Sequence, residues 1–446
     1  MNKLKKYFNA IKFHLFIGRR YIKSNKEHKK VNVIFLSIYL GISLGLMVLV
    51  VVLGIMNGFQ ENHISRRIEI GSFHITLEKK EFKTFTLTEA LELKIKLYSE
   101  IKELESVVAF ADREVIIKKK SELFEEQIIK LRAVDPDEIK KDSRFLKYFK
   151  ITYGEFDLNE YSILLGEAMG YKILSRVGSE LFLTPDISLT SLKSEGVPFN
   201  TSGFFYTGSY DYDRYWGFIS IYSLIPLAGR ANIDGIGLKV KDKNNEKIVI
   251  KKLKEMFGDQ FEIQTAEEIN RGFFSALKLE KVMIIFLFAM IFIMVSINTF
   301  GAMKLTITQK KVDVSILKAL GANPSDIQII FLIESLFIGF LGSLTGIFLG
   351  CFVVYNVLNI FVLVEFVINK FIGFLSYLFE FAFKGFYFSP IRIYDTSVYY
   401  QTTFLVKINL VEIILISLFI ITVTVFAAYI PVSKSSQLKP NDVLKS

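Results

Sequence analysis

Few residues in this 446-residue chain are spaced for chemistry. The four histidines, His14, His28, His63 and His74, are scattered, with no i, i+4 pair to hold a metal on one helix face. The single cysteine, Cys351, excludes an intrachain disulfide and any zinc site built on cysteines. Asp211-Tyr-Asp213 could bind a cation but lacks a partner cluster, and it reads as a solvated loop. Glu125-Glu126 and Glu267-Glu268 could be acid/base pairs, yet such doublets read more simply as solvated faces. Neither G-x-S-x-G nor H-E-x-x-H occurs. The dipeptide Gly-Lys is also absent, so there is no Walker A loop, and any ATP used must be hydrolysed by another chain. The expectation is a non-catalytic protein that binds no metal or cofactor itself.

The elements that must position these side chains are largely membrane spans. Hydrophobic residues make up 51%, mean hydropathy is +0.37, and charged residues are still 22%. That mixture excludes both a plain soluble enzyme and a pure multi-span bundle. Four stretches are apolar enough to cross a bilayer: Val31–Met56, Val282–Met303, Ile327–Val354 and Val411–Ile430. The first two carry no charge, the third only Glu334 and the fourth only Glu412. Residues 1–30 hold ten Lys/Arg and one acid, whereas residues 57–281 hold 34 basic and 36 acidic residues. The positive-inside rule then puts both termini (1–30 and 431–446) and the link 304–326 in the cytoplasm, with 57–281 outside. Topology thus accounts for the net charge of +10, and no nucleic-acid partner is expected.

Span three continues apolar to residue 364, and Phe371–Phe383 is apolar but short. The reading is a span protruding outward, followed within 365–410 by an interfacial piece and no further crossing. Gly41 and Gly45 in span one, and Gly342, Gly346 and Gly350 in span three, recur every four residues and predict close helix packing.

Residues 57–281 read as α+β. Thr86-Leu-Thr-Glu89 fits a capping box, followed by Leu87, Leu91, Ile95, Tyr98, Ile101 and Leu104 at helical spacing. Strands are expected at Val115–Ile117, Gln127–Ala133, Phe182–Thr184, Phe204–Tyr206, Phe218–Tyr222 and Ile236–Val240, with a turn at Asp135-Pro136-Asp137. A second helix, Glu246–Phe257, ends at Gly258. The pattern suggests two small mixed subdomains, one of split βαβ type. The fold class is therefore a polytopic α-helical membrane protein of four transmembrane helices, with a large α+β periplasmic domain between helices one and two.

Past span two, Lys304–Leu320 runs on as helix without a breaker until Gly321, and Asn323 with Pro324 starts the next helix. Val312, Ile316 and Leu320 form an apolar stripe among Lys310, Lys311 and Lys318, suited to a rigid lever that docks on a cytoplasmic partner. Lys310 through Ile327 resembles the coupling segment of the FtsX/MacB-type ABC permeases. Phe16-Ile-Gly-Arg-Arg-Tyr21, Met56-Asn-Gly-Phe59, Leu131-Arg-Ala-Val-Asp-Pro136, Leu164-Leu-Gly-Glu167, Glu280-Lys281, Asn298 and Leu438–Leu444 narrow the resemblance to the LolC/LolE lipoprotein-releasing permeases. Asp313 stands where that family commonly has glutamate.

The resemblance implies a subunit of the bacterial inner membrane that extracts lipoproteins and passes them on. Its partners would be a LolD-like ATPase, which supplies ATP and Mg, a second permease or second copy, a LolA-like carrier, acylated lipoproteins and membrane lipid. It implies ATPase coupling through Lys310, Lys311, Asp313, Ile316, Leu317, Leu320, Gly321 and Asn323. A carrier-binding hook would lie at Pro185–Pro198, with Pro185, Asp186, Leu189, Leu192, Gly196 and Pro198. The uncharged spans one and two, joined directly to the outer domain, suggest a laterally open acyl cavity at a two-permease interface, lined by Val48, Val52, Met56, Phe59, Met283, Leu287 and Met290. Competing readings are a MacB-like efflux permease and an FtsX-like relay that controls cell-wall hydrolases without transport.

Overall fold

The computed structural model describes residues 29–81, 83–119, 126–185, 196–229, 231–382, 389–393 and 406–435. It divides into a helical unit, residues up to 60 with 277–393 and those from 406 onward, and a sheet unit, residues 61–276.

In the sheet unit, α1 (Lys29–Arg66) ends in one π-helical turn, Arg67–Gly71, before β1 (Ile75–Lys79). Helix α2 (Leu87–Glu100) opens with the predicted capping box, Thr86 and Glu89 each accepting from the other's backbone N–H. The face it buries is Ala90, Leu93 and Leu97, while Leu91 is half-buried and Ile95 is exposed. Of the expected stripe, Ile101 and Leu104 are buried in the same core and Leu87 packs against it, whereas Ile95 is exposed and the Tyr98 hydroxyl donates to Glu138.

The strands that follow are β2 (Leu104–Lys119), β3 (Gln127–Val134), β4 (Lys150–Gly154), β5 (Ser162–Gly166), β6 (Glu180–Pro185), β7 (Val197–Tyr206), β8 (Trp216–Ser220), β9 (Gly235–Val240) and β10 (Phe261–Thr265). Strand β8 stops at Ser220, where a 3-10 turn begins, short of the expected Tyr222. Asp135 is an N-cap and not a simple turn: its carboxylate accepts from Asp137 N, with Pro136 at the first position of α3 (Pro136–Lys141). Helices α4 (Ser143–Tyr148), α5 (Glu167–Lys172), α6 (Tyr210–Tyr215), α7 (Leu224–Ala228), α8 (Glu246–Phe257) and α9 (Ala266–Ile269) connect them.

Two topologies share one sheet. The order β10-β1-β9-β2, all neighbours antiparallel, with α2 after β1 and α8 after β9, is a split βαβ pair. Strand β2 is long enough to serve twice. Its first half pairs with β9, and its second half lies between β3 and β6. The pairings β2-β3-β8-β5-β7-β6 return to β2, closing a six-stranded ring. The expected two subdomains are thus one continuous sheet, joined because β2 belongs to both. Val115, Ile117, Leu131, Leu165, Leu183 and Phe199 fill one core, and a second is aromatic, Phe145, Phe149, Phe205 and Phe218 stacking at 4.5–5.9 Å.

The helical unit contains the first part of α1, most of α10 (Arg271–Gln309), α11 (Lys311–Ala319), α12 (Pro324–Tyr355), α13 (Val357–Ala382) and α14 (Leu410–Ser435). Among the described residues five helices are long and apolar enough to cross a membrane. The additional one is α13. A turn at Asn356 ends α12 before residue 364, and α13 absorbs both the protruding stretch and most of the piece read as interfacial. Helix α1 buries Ile38, Ile42, Leu46 and Leu49 at helical spacing. The glycine faces have separate partners within the subunit. A Cβ at Gly41 would strike Asn298 of α10, whereas one at Gly346 would come 2.7 Å from Ser43 O, and one at Gly350 2.7 Å from Val50, both on α1.

Candidate functional site

Three places in the fold bring functional side chains together. The first is the short helix α11. Val312, Ile316 and Leu320 are exposed by 61, 54 and 80%, so the stripe is free to dock. Lys311 and Asp313 are also exposed, and Leu317 is half-buried. Ala322 N donates to Leu317 O and Gly321 N to Lys318 O, each at 3.0 Å, and Gly321 takes φ +96°. This Schellman closure needs a residue without a Cβ, which is why the helix stops there. Asn323 and Asp326 then form a capping box for α12.

The expectation of an unbroken helix through residue 320 fails at Lys310, which leaves helical geometry at φ −91°, ψ 14°. Thr306 and Thr308 hydrogen-bond back to the carbonyls of Ala302 and Lys304, a pattern that bends helices. Nor is Lys310 part of the exposed stripe. It is buried, with Nζ 3.1 Å from Glu334 Oε1.

The second place lies between α1, α10 and α14, a cavity of about 330 Å³. Its lining is mainly apolar, with Leu53, Met56, Ile284, Phe288 and Leu415. Four polar residues join them: Asn57, Gln60, Lys281 and Glu412. Asn57 Nδ2 donates to Glu412 Oε2 at 2.7 Å, and Gln60 Nε2 to Glu280 Oε2 at 2.8 Å. Such a lining suits a ligand with an apolar chain and a polar head. Of the seven predicted acyl contacts only Met56 lines it. Val48, Phe59, Met283, Leu287 and Met290 are exposed elsewhere on α1 and α10, and Val52 is half-buried. Helix α10 turns Ile284 and Phe288 toward this cavity and leaves Met283 and Leu287 on its outer side.

The third place grips the chain just past α1. Arg132 is buried and donates from Nε and Nη2 to both oxygens of Asp112, at 2.7 and 2.8 Å. Its Nη1 donates to Gly71 O at 2.8 Å and Ile70 O at 3.3 Å, and the guanidinium lies 4.6 Å from the Trp216 ring centre. Lys239, 1% exposed, reaches Glu69 O at 3.0 Å and the carboxylates of Glu69 and Asp142, each at 2.7 Å. Two buried cations thus take the terminal carbonyls of the π-helical turn, groups with no partner of their own in a helix. Burial alone would raise the Asp112 carboxyl, but Arg132 and Lys130 outweigh it and hold its pKa at about 2. Burial, reinforced by Arg144 and Lys239, lowers His74 to about 4, and its neutral Nδ1 accepts from Val240 N at 2.9 Å.

In the hook region, Leu183 pairs with Val197 and Phe182 with Pro198, and Gly196 has φ +71°. Pro185 ends β6 opposite Val115. Asp186, Leu189 and Leu192 lie outside the described residues. Asp213 was misread as solvated: it is fully buried and accepts from Thr207 N and Oγ1 and from Gly208 N. Glu268 caps α9. Arg132, Lys239 and Glu334 were missed as site residues. Glu334 was visible as a lone charge inside an apolar run, whereas Arg132 and Lys239 lie on strands with other charges close by in sequence, and only the fold supplies the partner of each.

Comparison with known proteins bears on these places. The FtsX-like permease C-terminal family matches residues 284–440, and the MacB-like periplasmic core domain matches residues 36–256. Lipoprotein-releasing system transmembrane protein LolC of Xylella fastidiosa is 22% identical over 439 residues, covering 96% of this chain and 98% of the relative. LolC of Neisseria meningitidis serogroup B is 24% identical over 385 residues, covering 81% of this chain and 88% of the relative. An uncharacterized ABC transporter permease of Methanocaldococcus jannaschii is 32% identical over 126 residues, 27% of this chain and 31% of the relative.

Proposed function

We propose, from the premise that the chain belongs to the FtsX/MacB-like permeases of ABC transporters, that it is a LolC/LolE-type subunit that releases lipoproteins from a bacterial inner membrane. The observation that carries the reading is the exposed stripe of Val312, Ile316 and Leu320 on a helix closed at its C-terminal end by the turn at Gly321, in a chain with relatives named LolC over nearly its whole length. A separate LolD-like ATPase, holding ATP and Mg, docks on that stripe. Its closure moves α11 and α12, and α1 carries the movement into the sheet unit through the turn held by Arg132 and Lys239. A lipoprotein with three acyl chains holds roughly 45 methylenes, so exposing them all to water would cost on the order of 35 kcal/mol. Apolar surface must therefore be offered throughout. The exposed Val48, Met283 and Met290 supply it against a second permease, and the cavity at Met56 supplies it within one subunit. A LolA-like carrier receives the lipoprotein at the hairpin between β6 and β7. Four crossings, with α13 lying along the outer membrane face, keep both termini cytoplasmic.

The test is Ile316→Asp and Leu320→Asp in the full complex, with membrane expression checked. Loss of ATPase copurification and of lipoprotein-stimulated hydrolysis is expected. Retention of both in both variants would reject the docking stripe.

A further inference from the structure

The pair Lys310–Glu334 has no role in docking and none in a ligand site. Its side chains are 7% and 1% exposed, and the ammonium also lies 5.4 Å from the Phe35 ring and 6.0 Å from the Phe331 ring. Glu334 is the only charge in the apolar run of its span, and its second oxygen has no hydrogen-bond partner among the described residues. Taking two charges out of water costs more than an incompletely bonded pair returns, so two apolar side chains of similar volume would hold these helices at least as well. Stability does not explain the pair, but position does. Lys310 is the residue where α10 breaks and α11 begins. Within α11 only Val314 and Ser315 are buried, so the helix has a narrow packing face of its own. Its C-terminal end is fixed by the Schellman turn at Gly321. Its N-terminal end is tied to the first third of α12 by this buried charged contact.

We propose that Lys310 and Glu334 form a latch that sets the angle of α11 against α12, so that a push on α11 is delivered to the spans and is not lost in bending at residue 310. Both are positioning residues. The proposal rests on the reading that an ATPase docks on α11, and the measurements separate the two.

Nitroxide labels go on Val312 and Leu336, both exposed, in full-length permease with Cys351→Ser to remove the only native thiol. Electron–electron distances are read in the purified permease alone. The unaltered pair should give one narrow distribution. Lys310→Met and Glu334→Gln should broaden it, and so should the apolar double variant Lys310→Met with Glu334→Leu, which relieves the buried charge but removes the tie. The reversed pair, Lys310→Glu with Glu334→Lys, should narrow it again. In complexes that still copurify with the ATPase, the ratio of lipoprotein-stimulated to basal hydrolysis should fall roughly tenfold in the double variant, within the range of ordinary coupling energies. A distribution that stays narrow in the double variant overturns the latch, as does a broadened one with an unchanged ratio. If Ile316→Asp also leaves hydrolysis untouched, the docking reading has failed, and the distances still decide the latch.

Discussion

At the scale of single residues, buried charges set how the sheet unit responds to pH. His74 has an ordinary value of 6.5 and lies at about 4 when folded. The unfolded chain therefore binds a proton that the folded one refuses, and stability falls as pH drops from 6.5 toward 4, by about 3 kcal/mol in total. Asp112 titrates lower, from 3.8 to about 2, so its contribution is intact above 3.8 and is lost only below it. Thermal unfolding followed by the fluorescence of Trp216, the only tryptophan, should show a first loss between pH 6.5 and 4. His74→Gln keeps an acceptor for Val240 N–H without the charge and should flatten that first loss while sparing the one below pH 3.8. Arg132→Met offers a second check. It strips Asp112 of a bidentate partner and frees two carbonyls, and should cost about 3–5 kcal/mol. Lys130→Met removes a half-exposed partner of the same carboxylate and should cost below about 1 kcal/mol. Equal losses in the two variants would mean that Arg132 holds nothing beyond a surface ion pair.

At the scale of elements, glycines decide how close helices come. Gly346 faces the backbone of α1, and Gly373 on α13 faces open space. Gly346→Leu should force α1 and α12 apart and lower detergent-phase stability by about 1–3 kcal/mol. Gly373→Ala should be neutral, or stabilising by up to about 1 kcal/mol through helix propensity alone. Scanning fluorimetry of the two variants gives the comparison, and a stable Gly346→Leu protein would show that this contact is loose. Helix α13 has a second feature of its own. The Asn369 carboxamide donates to Ile391 O at 2.9 Å and accepts from Ile391 N at 2.8 Å, so Ile391 lies against α13. Glu365, Asn369 and Ser376 recur at helical spacing on one side of this largely apolar helix, which also carries Asn359 and Lys370. That polar side suits a helix lying in the interface better than one crossing lipid.

At the scale of the whole molecule, α13 decides the topology. Cysteines at Val362 and Tyr377, both exposed, placed in the Cys351→Ser background, should react with an impermeant thiol reagent added outside intact spheroplasts. A crossing helix would shield one of them or leave it reachable only after lysis. Reporters fused to the two termini should both read cytoplasmic when α13 lies flat, and should read opposite sides when it crosses.

Much of this protein was legible in its residues taken in order. Four of the five apolar helices, their charge asymmetry, the capping box at Thr86, the N-cap at Asn323, the helix Glu246–Phe257 and the helix stop at Gly321 depend on neighbours within a few positions, and local periodicity carries that information. The closed ring of strands was not legible, because nothing along β2 announces that its two halves have different partners. Nor were the pairings of Arg132 with Gly71, Lys239 with Glu69 and Asn57 with Glu412, which join residues 61, 170 and 355 positions apart. A lone charge in an apolar run shows that a partner must exist, since an unpaired buried charge is too costly to keep. Which residue answers it depends on which elements the chain brings together, and only the tertiary structure decides that.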